Sequence, residues 1–244
     1  MTHNGRFKAK AIVFDLFHTL VDPEDFRPEG FNRAYNIADV LGLDDKEKFA
    51  AWWRSNERER HLSKSKKVVE FVDDYLWANA GRRCSEAELA KINLISGHLQ
   101  DAAILNPRPE VVAALTNLRQ TGIRLALLSN ADESEVMNWN RSPLSTLFHV
   151  ACFSFEIGHS KPSKDAYTFV LNTLGIQAKD SLYVGDGGHD ELRGAKQAGF
   201  GLVVFMKGFV SKNGIRTQRQ MTESEEFADT SIMGLDELSG LLTN

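Results

Sequence analysis

The sequence predicts an α/β fold in which a parallel sheet is covered on both faces and a helical lobe is inserted after the first strand. Three observations carry this expectation. Four strand-length runs, residues 10–16, 123–128, 181–184 and 201–205, are rich in Val, Ile, Leu or Phe without polar alternation, as in strands buried on both faces. Helix-patterned segments separate the later runs. Between residues 22 and 105 no strand-like run occurs, and that interval is too long for a structureless loop in a compact domain.

Taken in order, the first run rises from a polar N-terminus and stops at Asp15. It is too short for a signal-peptide core or a membrane span. In the following interval, residues 46–61, 66–80 and 85–99 carry helical patterning, and residues 106–109 are the expected returning hinge. A helix over 109–121 opens with Pro109 in its first turn. The run at 123–128 then leads to Ser129 and Asn130, and a shorter apolar stretch at 150–153 is a candidate fifth strand. Helices over 163–174 and 190–198 are stopped by Gly175 and Gly199, glycine being the residue that most readily takes the left-handed turn after a helix. The charged or polar clusters at 64–67 and 222–226 read as solvated faces.

Composition narrows the function. A net charge of −4 gives no positive field for gathering polyanions, so nucleic acid is not an expected partner, and no segment suits a membrane. Cys84 and Cys152 are far apart and in no metal-ligand spacing, which fits a reducing, cytoplasmic setting better than a disulfide framework. Monomer and homodimer both remain open.

In open parallel sheets the ligand crevice lies beyond the carboxyl ends of the strands. The polar residues expected there are Asp15 with Thr19, Ser129 with Asn130, Lys161, and Asp186 with Asp190 and Glu191. An Asp or Ser at a strand end is more often a turn or helix-cap residue. The signal is their concurrence.

These residues fall in four motifs: Phe14-Asp15-Leu16-Phe17-His18-Thr19-Leu20, Leu127-Leu128-Ser129-Asn130, Lys161-Pro162, and Val184-Gly185-Asp186 through Glu191 to Gly194-Ala195. In order and across essentially the whole chain, they resemble the haloacid dehalogenase superfamily. The resemblance implies a Rossmann-like parallel sheet core, residues 1–21 and 106–244, with an α-helical cap domain over 22–105. It implies a hydrolase of a small, anionic substrate with Asp15 as nucleophile and Thr19, Ser129 and Lys161 as further catalytic residues. It also implies Mg²⁺ held by Asp15, the main-chain carbonyl of Phe17, Asp186 and Glu191, with Asp190 an alternative to Glu191 and equally a helix cap. Phe17, His18, Arg54 and Asn130 are the implied substrate-facing residues. The chemistry agrees: a carboxylate fixed near a cation and an ammonium can attack an anionic centre because those charges offset the repulsion.

The pattern departs from the family's phosphatases at Phe17, where they carry an aspartate that protonates the leaving oxygen. An aromatic there is similar to the 2-haloacid dehalogenases, as are Trp53-Arg54, Ser129-Asn130 and the spacing of Tyr167 after Lys161. Trp52 and Trp53 are equally readable as core of the inserted lobe, and Arg54 as a surface residue. Those dehalogenases need no metal, whereas Asp186 and Glu191 facing Asp15 would crowd negative charge without a cation. His18 or His189 could carry a proton near neutrality. Three readings follow: a Mg²⁺-dependent phosphatase of small phosphorylated metabolites, a 2-haloacid dehalogenase, and a non-catalytic binding protein on the same fold.

Overall fold

The computed structural model describes residues 6–243. Six parallel strands form one sheet: β1 (Ala11–Phe14), β2 (Arg124–Ser129), β3 (Val150–Phe153), β4 (Ser181–Gly185), β5 (Leu202–Met206) and β6 (Thr230–Ile232), in the order β3-β2-β1-β4-β5-β6. Every predicted run is a strand. The unpredicted β6 has no apolar run to announce it, because Thr230 and Ser231 are partly exposed at the sheet edge.

Strand geometry explains the unbroken apolar runs, since successive side chains point to opposite faces. Ile12 and Phe14 of β1 enter one buried cluster, while Ala11 and Val13 enter the other. A fully buried side chain of the size of Phe14 stabilises by about 1.5–3 kcal/mol, so both faces of β1 resist polar substitution.

Five helices occupy the interval between β1 and residue 106: α1 (Arg33–Val40), α2 (Lys46–Ser55), α3 (Glu57–Leu62), α4 (Val68–Ala80) and α5 (Glu86–Leu105). All but α3 contribute to a separate apolar cluster around Phe49, Trp53, Val72 and Leu76. The single helix expected over 46–61 is two, because Asn56 (φ −99°, ψ 8°) interrupts it. Helix α5 begins in a capping box: Glu88 N donates to Ser85 Oγ at 3.3 Å, and Ser85 N donates to Glu88 at 2.7 Å. Its first half contributes Ile92 to the helical cluster, and its last turn places Ala103 and Ile104 in a sheet cluster.

The remaining helices are α6 (Pro109–Gln120), α7 (Glu133–Val136), α8 (Ser154–Ile157), α9 (Lys164–Leu174), α10 (Glu191–Ala198), α11 (Gly208–Asn213), α12 (Gln218–Phe227) and α13 (Leu238–Leu241). Val111, Leu115 and Leu118 of α6 cover one sheet face, and Tyr167, Val170 and Leu171 of α9 with Leu192 and Ala195 of α10 cover the other. Among the described residues no helix is long and apolar enough to cross a membrane.

Candidate active site

The site forms where β1, β2 and β4 end side by side. Asp15 follows β1 directly, and its backbone N–H bonds the Val184 carbonyl at 2.9 Å. The sheet ladder thus continues one residue past the strand and fixes the carboxylate at its rim. The chain then turns, with Leu20 N and Val21 N both donating to Leu16 O. This brings the buried Thr19 hydroxyl to Asp15 Oδ2 at 3.1 Å. His18 takes a left-handed conformation within this turn (φ 60°), and its Nδ1 lies 3.1 Å from Asp22.

Lys161 comes from the segment between α8 and α9, and its ammonium meets Asp15 Oδ1, Glu191 Oε2 at 2.6 Å and the Tyr183 hydroxyl at 3.2 Å. Tyr183 in turn donates to Glu191 Oε2 at 2.6 Å, and Gly187 N donates to the other Glu191 oxygen at 3.0 Å. Burial alone would lower the Lys161 pKa, but the charges of Asp15 and Glu191 reverse this and hold it above its ordinary value. Burial pushes the Glu191 carboxyl up to about 7, against the pull of Lys161. Lys161 therefore stays cationic over the neutral range.

Two side chains from the end of β2 complete this part. Asn130 accepts from Lys161 N at 2.8 Å and donates to Lys161 O at 2.9 Å, gripping that peptide on both sides. Its amide is thereby engaged with the Lys161 backbone, while Asn130 also lines the crevice, where it was expected. The Ser129 hydroxyl is 1% exposed and has no hydrogen-bond partner. A buried hydroxyl left so is costly, and a ligand oxygen arriving in the crevice would satisfy it.

Asp186, just past β4, accepts from Gly188 N at 3.0 Å through Oδ1 and from Arg216 Nη2 at 2.5 Å through Oδ2. Asp15, Asp186 and Glu191 are all buried, and a carboxylate oxygen of each lies within 4.8 Å of the others. Three hard oxygen donors so close suit a Mg²⁺-sized ion. Asp190 points elsewhere, pairing with Arg193 at 2.9 Å with its side chain 59% exposed.

The crevice contains two adjoining cavities, of about 250 and about 510 Å³, both lined by Lys161, Asn130, Glu57, His61 and His189. The first also meets Asp15, Phe17, His18, Asp186, Glu191 and Arg216. From the inserted segment the lining comes from α3, through Glu57, Arg58 and His61, from Gln100 of α5, and from Glu24 and Arg27 soon after β1. Arg54 lines neither cavity and is exposed, which corrects its expected substrate role: it lies on α2, before the interruption at Asn56 redirects the chain. Trp53 is buried against Phe49, as the core reading of that segment holds. A further groove of about 400 Å³ near α6 and α13 is mainly apolar and gathers no comparable set of converging charges.

Several residues at the crevice carry no motif in the sequence. Arg216 stands in the stretch between α11 and α12, and Tyr183 reads as an ordinary strand residue. His61 and Glu135 lie 3.3 Å from each other although 74 positions separate them in sequence, a pairing that no local pattern encodes. Glu135 also takes Arg33 at 2.9 Å, while the neighbouring Asp132 lies 3.7 Å from Arg60.

A family model described as haloacid dehalogenase-like hydrolase matches residues 9–199. Glyceraldehyde 3-phosphate phosphatase of Methanocaldococcus jannaschii is 24% identical over 241 residues, covering 96% of this chain and 97% of its own. (S)-2-haloacid dehalogenase 2 of a Pseudomonas species is 25% identical over 243 residues, covering 96% and 95%. Among solved structures, a HAD phosphatase from Thermococcus onnurineus superposes with a TM-score of 0.62 at 20% identity, covering 95% of this chain and 97% of its own.

Proposed function

Because the chain belongs to the haloacid dehalogenase-like hydrolase family, we propose that it is a Mg²⁺-dependent phosphatase of small phosphorylated metabolites with Asp15 as nucleophile. The observation that carries this reading is the buried Lys161 ammonium on Asp15, beside two further carboxylates that it does not balance alone. Asp15, Asp186 and the Phe17 carbonyl would hold the ion. Glu191 bonds Lys161 and Tyr183, so we assign it chiefly to positioning Lys161, with at most a water-bridged share in the metal. Bound Mg²⁺ supplies positive charge that offsets the crowded carboxylates and the incoming phosphoryl oxygens.

The chain's own residues then divide the work. Thr19 and Lys161 hold the Asp15 carboxylate in one orientation, which removes the entropy of finding it. An Asp15 oxygen attacks phosphorus, the bond from phosphorus to the ester oxygen breaks, and the leaving oxygen takes a proton. Ser129 Oγ donates to a phosphoryl oxygen, and Lys161 offsets its charge. Phe17 has no proton to give, so the leaving oxygen draws on the histidines that line the cavity, His18, His61 and His189. Water then attacks the aspartyl phosphate, releasing inorganic phosphate and restoring Asp15.

A metal-supplemented screen of phosphorylated metabolites and 2-chloro acids, read for both phosphate and chloride, tests this. Phosphate release that EDTA abolishes, Mg²⁺ restores and Asp15→Asn lowers by at least about 10⁴-fold is the expected result. Full turnover by Asp15→Asn would remove the nucleophile assignment. Phe17 favours a second reading, 2-haloacid dehalogenation, and chloride release that persists in EDTA would select it.

A further inference from the structure

We propose that Arg216 and the divalent cation are alternative partners of Asp186, so that cation binding frees the Arg216 guanidinium for an anionic group in the crevice. This rests on the metal reading above and adds a residue of this chain to it.

The geometry places the guanidinium in competition with a cation. Asp186 Oδ1 is held by the Gly188 backbone, and Oδ2 is held by Arg216 Nη2 at 2.5 Å. A cation arriving at that carboxylate meets a positive charge already in contact with it, and at such separations like charges repel strongly where solvent is thin. Three carboxylates in the crevice, Asp15, Asp186 and Glu191, face the two cations Lys161 and Arg216. Arg216 thus supplies part of the positive charge that a metal would bring.

Three features suit Arg216 to leave and be reused. Its Nε is buried and has no acceptor, so Asp186 uses only part of the planar donor fork. A carboxylate or phosphate can take two donors of that fork at once, and Arg216 lines the same cavity as Asp15 and Lys161. The residue stands outside regular structure, after Gly214 ends α11 in a left-handed turn (φ 62°) and before Thr217 caps α12. Room for the guanidinium is made by Gly188: a Cβ there would lie 2.5 Å from Arg216 Nη2.

Competition and reuse have a thermodynamic signature. If Mg²⁺ displaces Arg216 and a phosphate then captures it, each ligand tightens the other by the same factor, because coupling between two sites is reciprocal. Removing the guanidinium tightens Mg²⁺ directly and abolishes that arginine-mediated coupling.

Isothermal titration of Mg²⁺ into the full chain tests this without turnover, using wild type, Arg216→Gln and Arg216→Lys, each with and without inorganic phosphate. Arg216→Gln is expected to bind Mg²⁺ about tenfold more tightly than wild type, and Arg216→Lys to fall between them. In wild type, phosphate is expected to tighten Mg²⁺ about fivefold, with a smaller effect in Arg216→Gln. Equal or weaker Mg²⁺ binding by Arg216→Gln overturns the competition while leaving the metal reading intact. Absence of Mg²⁺ binding by all three proteins overturns both. Unchanged coupling in Arg216→Gln overturns the transfer of the guanidinium to the anion. Arg216 is partly exposed and on no helix or strand, and matching thermal melts of the three proteins confirm that the comparison is between folded forms.

Discussion

Two buried charge clusters flank the crevice, and they are built to opposite ends. Around Lys161, the carboxylates of Asp15, Asp186 and Glu191 converge, and the Ser129 hydroxyl at the end of β2 is buried with no partner. Around Glu135, the carboxylates of Glu135 and Asp132 also converge with His61 at metal-ligand distances. Here, though, Arg33 donates to Glu135, Arg60 stacks on Trp53 while facing Asp132, and Ser134 donates to Asp132 through both its N–H and its hydroxyl. The second cluster balances its own charge and ties α1 and α3 to α7; the first has more carboxylates than cations. Metal-ligand spacing alone therefore does not separate a reactive site from a lock. The balance does: three carboxylates against Lys161 and Arg216 in the first, two against Arg33 and Arg60 in the second.

Titration follows the same division. Burial alone would raise Glu135, but its bond to His61 and the charges of Arg33 and His61 hold it well below the usual carboxylate range. Asp132 is pushed up to about 6, chiefly by burial and then by the charge of Glu135. One acid in the lock is firmly ionised and the other yields its charge readily.

The comparison can be broken from either side. Lys161→Met leaves the Asp15 cluster without its central cation, and kcat for the best substrate should fall by about 10³–10⁴-fold in steady-state assays. Comparable turnover would show that the ammonium is structural. Glu135→Gln strips the lock of its charge and strands Arg33 and His61, which should cost about 3–5 kcal/mol in denaturant unfolding, as for other broken buried pairs. That gap has a pH window. Because the folded Glu135 pKa lies below its ordinary 4.5, its stabilisation is complete above about pH 4.5 and fades as pH falls through the folded value. Melting curves of wild type and Glu135→Gln should therefore converge in acid, and a constant gap would contradict the assignment. Smallest is Phe17→Asp, which adds an acid to the open cluster and should raise turnover of alkyl phosphates by about tenfold. No gain would mean that the proton already arrives from a histidine.

How much of this was legible in the sequence depended on distance along the chain. Strands β1, β2, β4 and β5 announce themselves because each is buried on both faces, and the residues at their ends inherit the crevice from topology. Asp15, Ser129, Lys161, Asp186 and Glu191 were accessible to that logic. Arg54 was expected at the crevice from the resemblance of Trp53-Arg54 to the dehalogenases, whereas the break at Asn56 leaves Glu57, Arg58 and His61 of the next helix lining it. Asn130 was expected at the crevice and lines it, but no local pattern reveals that it also grips the peptide of a residue 31 positions later. Arg216 had no signal at all: its role depends on a carboxylate 30 positions earlier and on a space left by Gly188.

The sheet order has one more consequence. Asp15 leaves the strand that is hydrogen-bonded on both sides, between β2 and β4, so its anchor is among the least deformable parts of the chain, while Glu57 and Arg58, which also line the crevice, are exposed residues of the short helix α3. Selection or a laboratory library acting on Glu57 and Arg58 can therefore explore new substrates with little penalty to the reacting carboxylate. Chemical power and choice of target are inherited through different parts of the molecule.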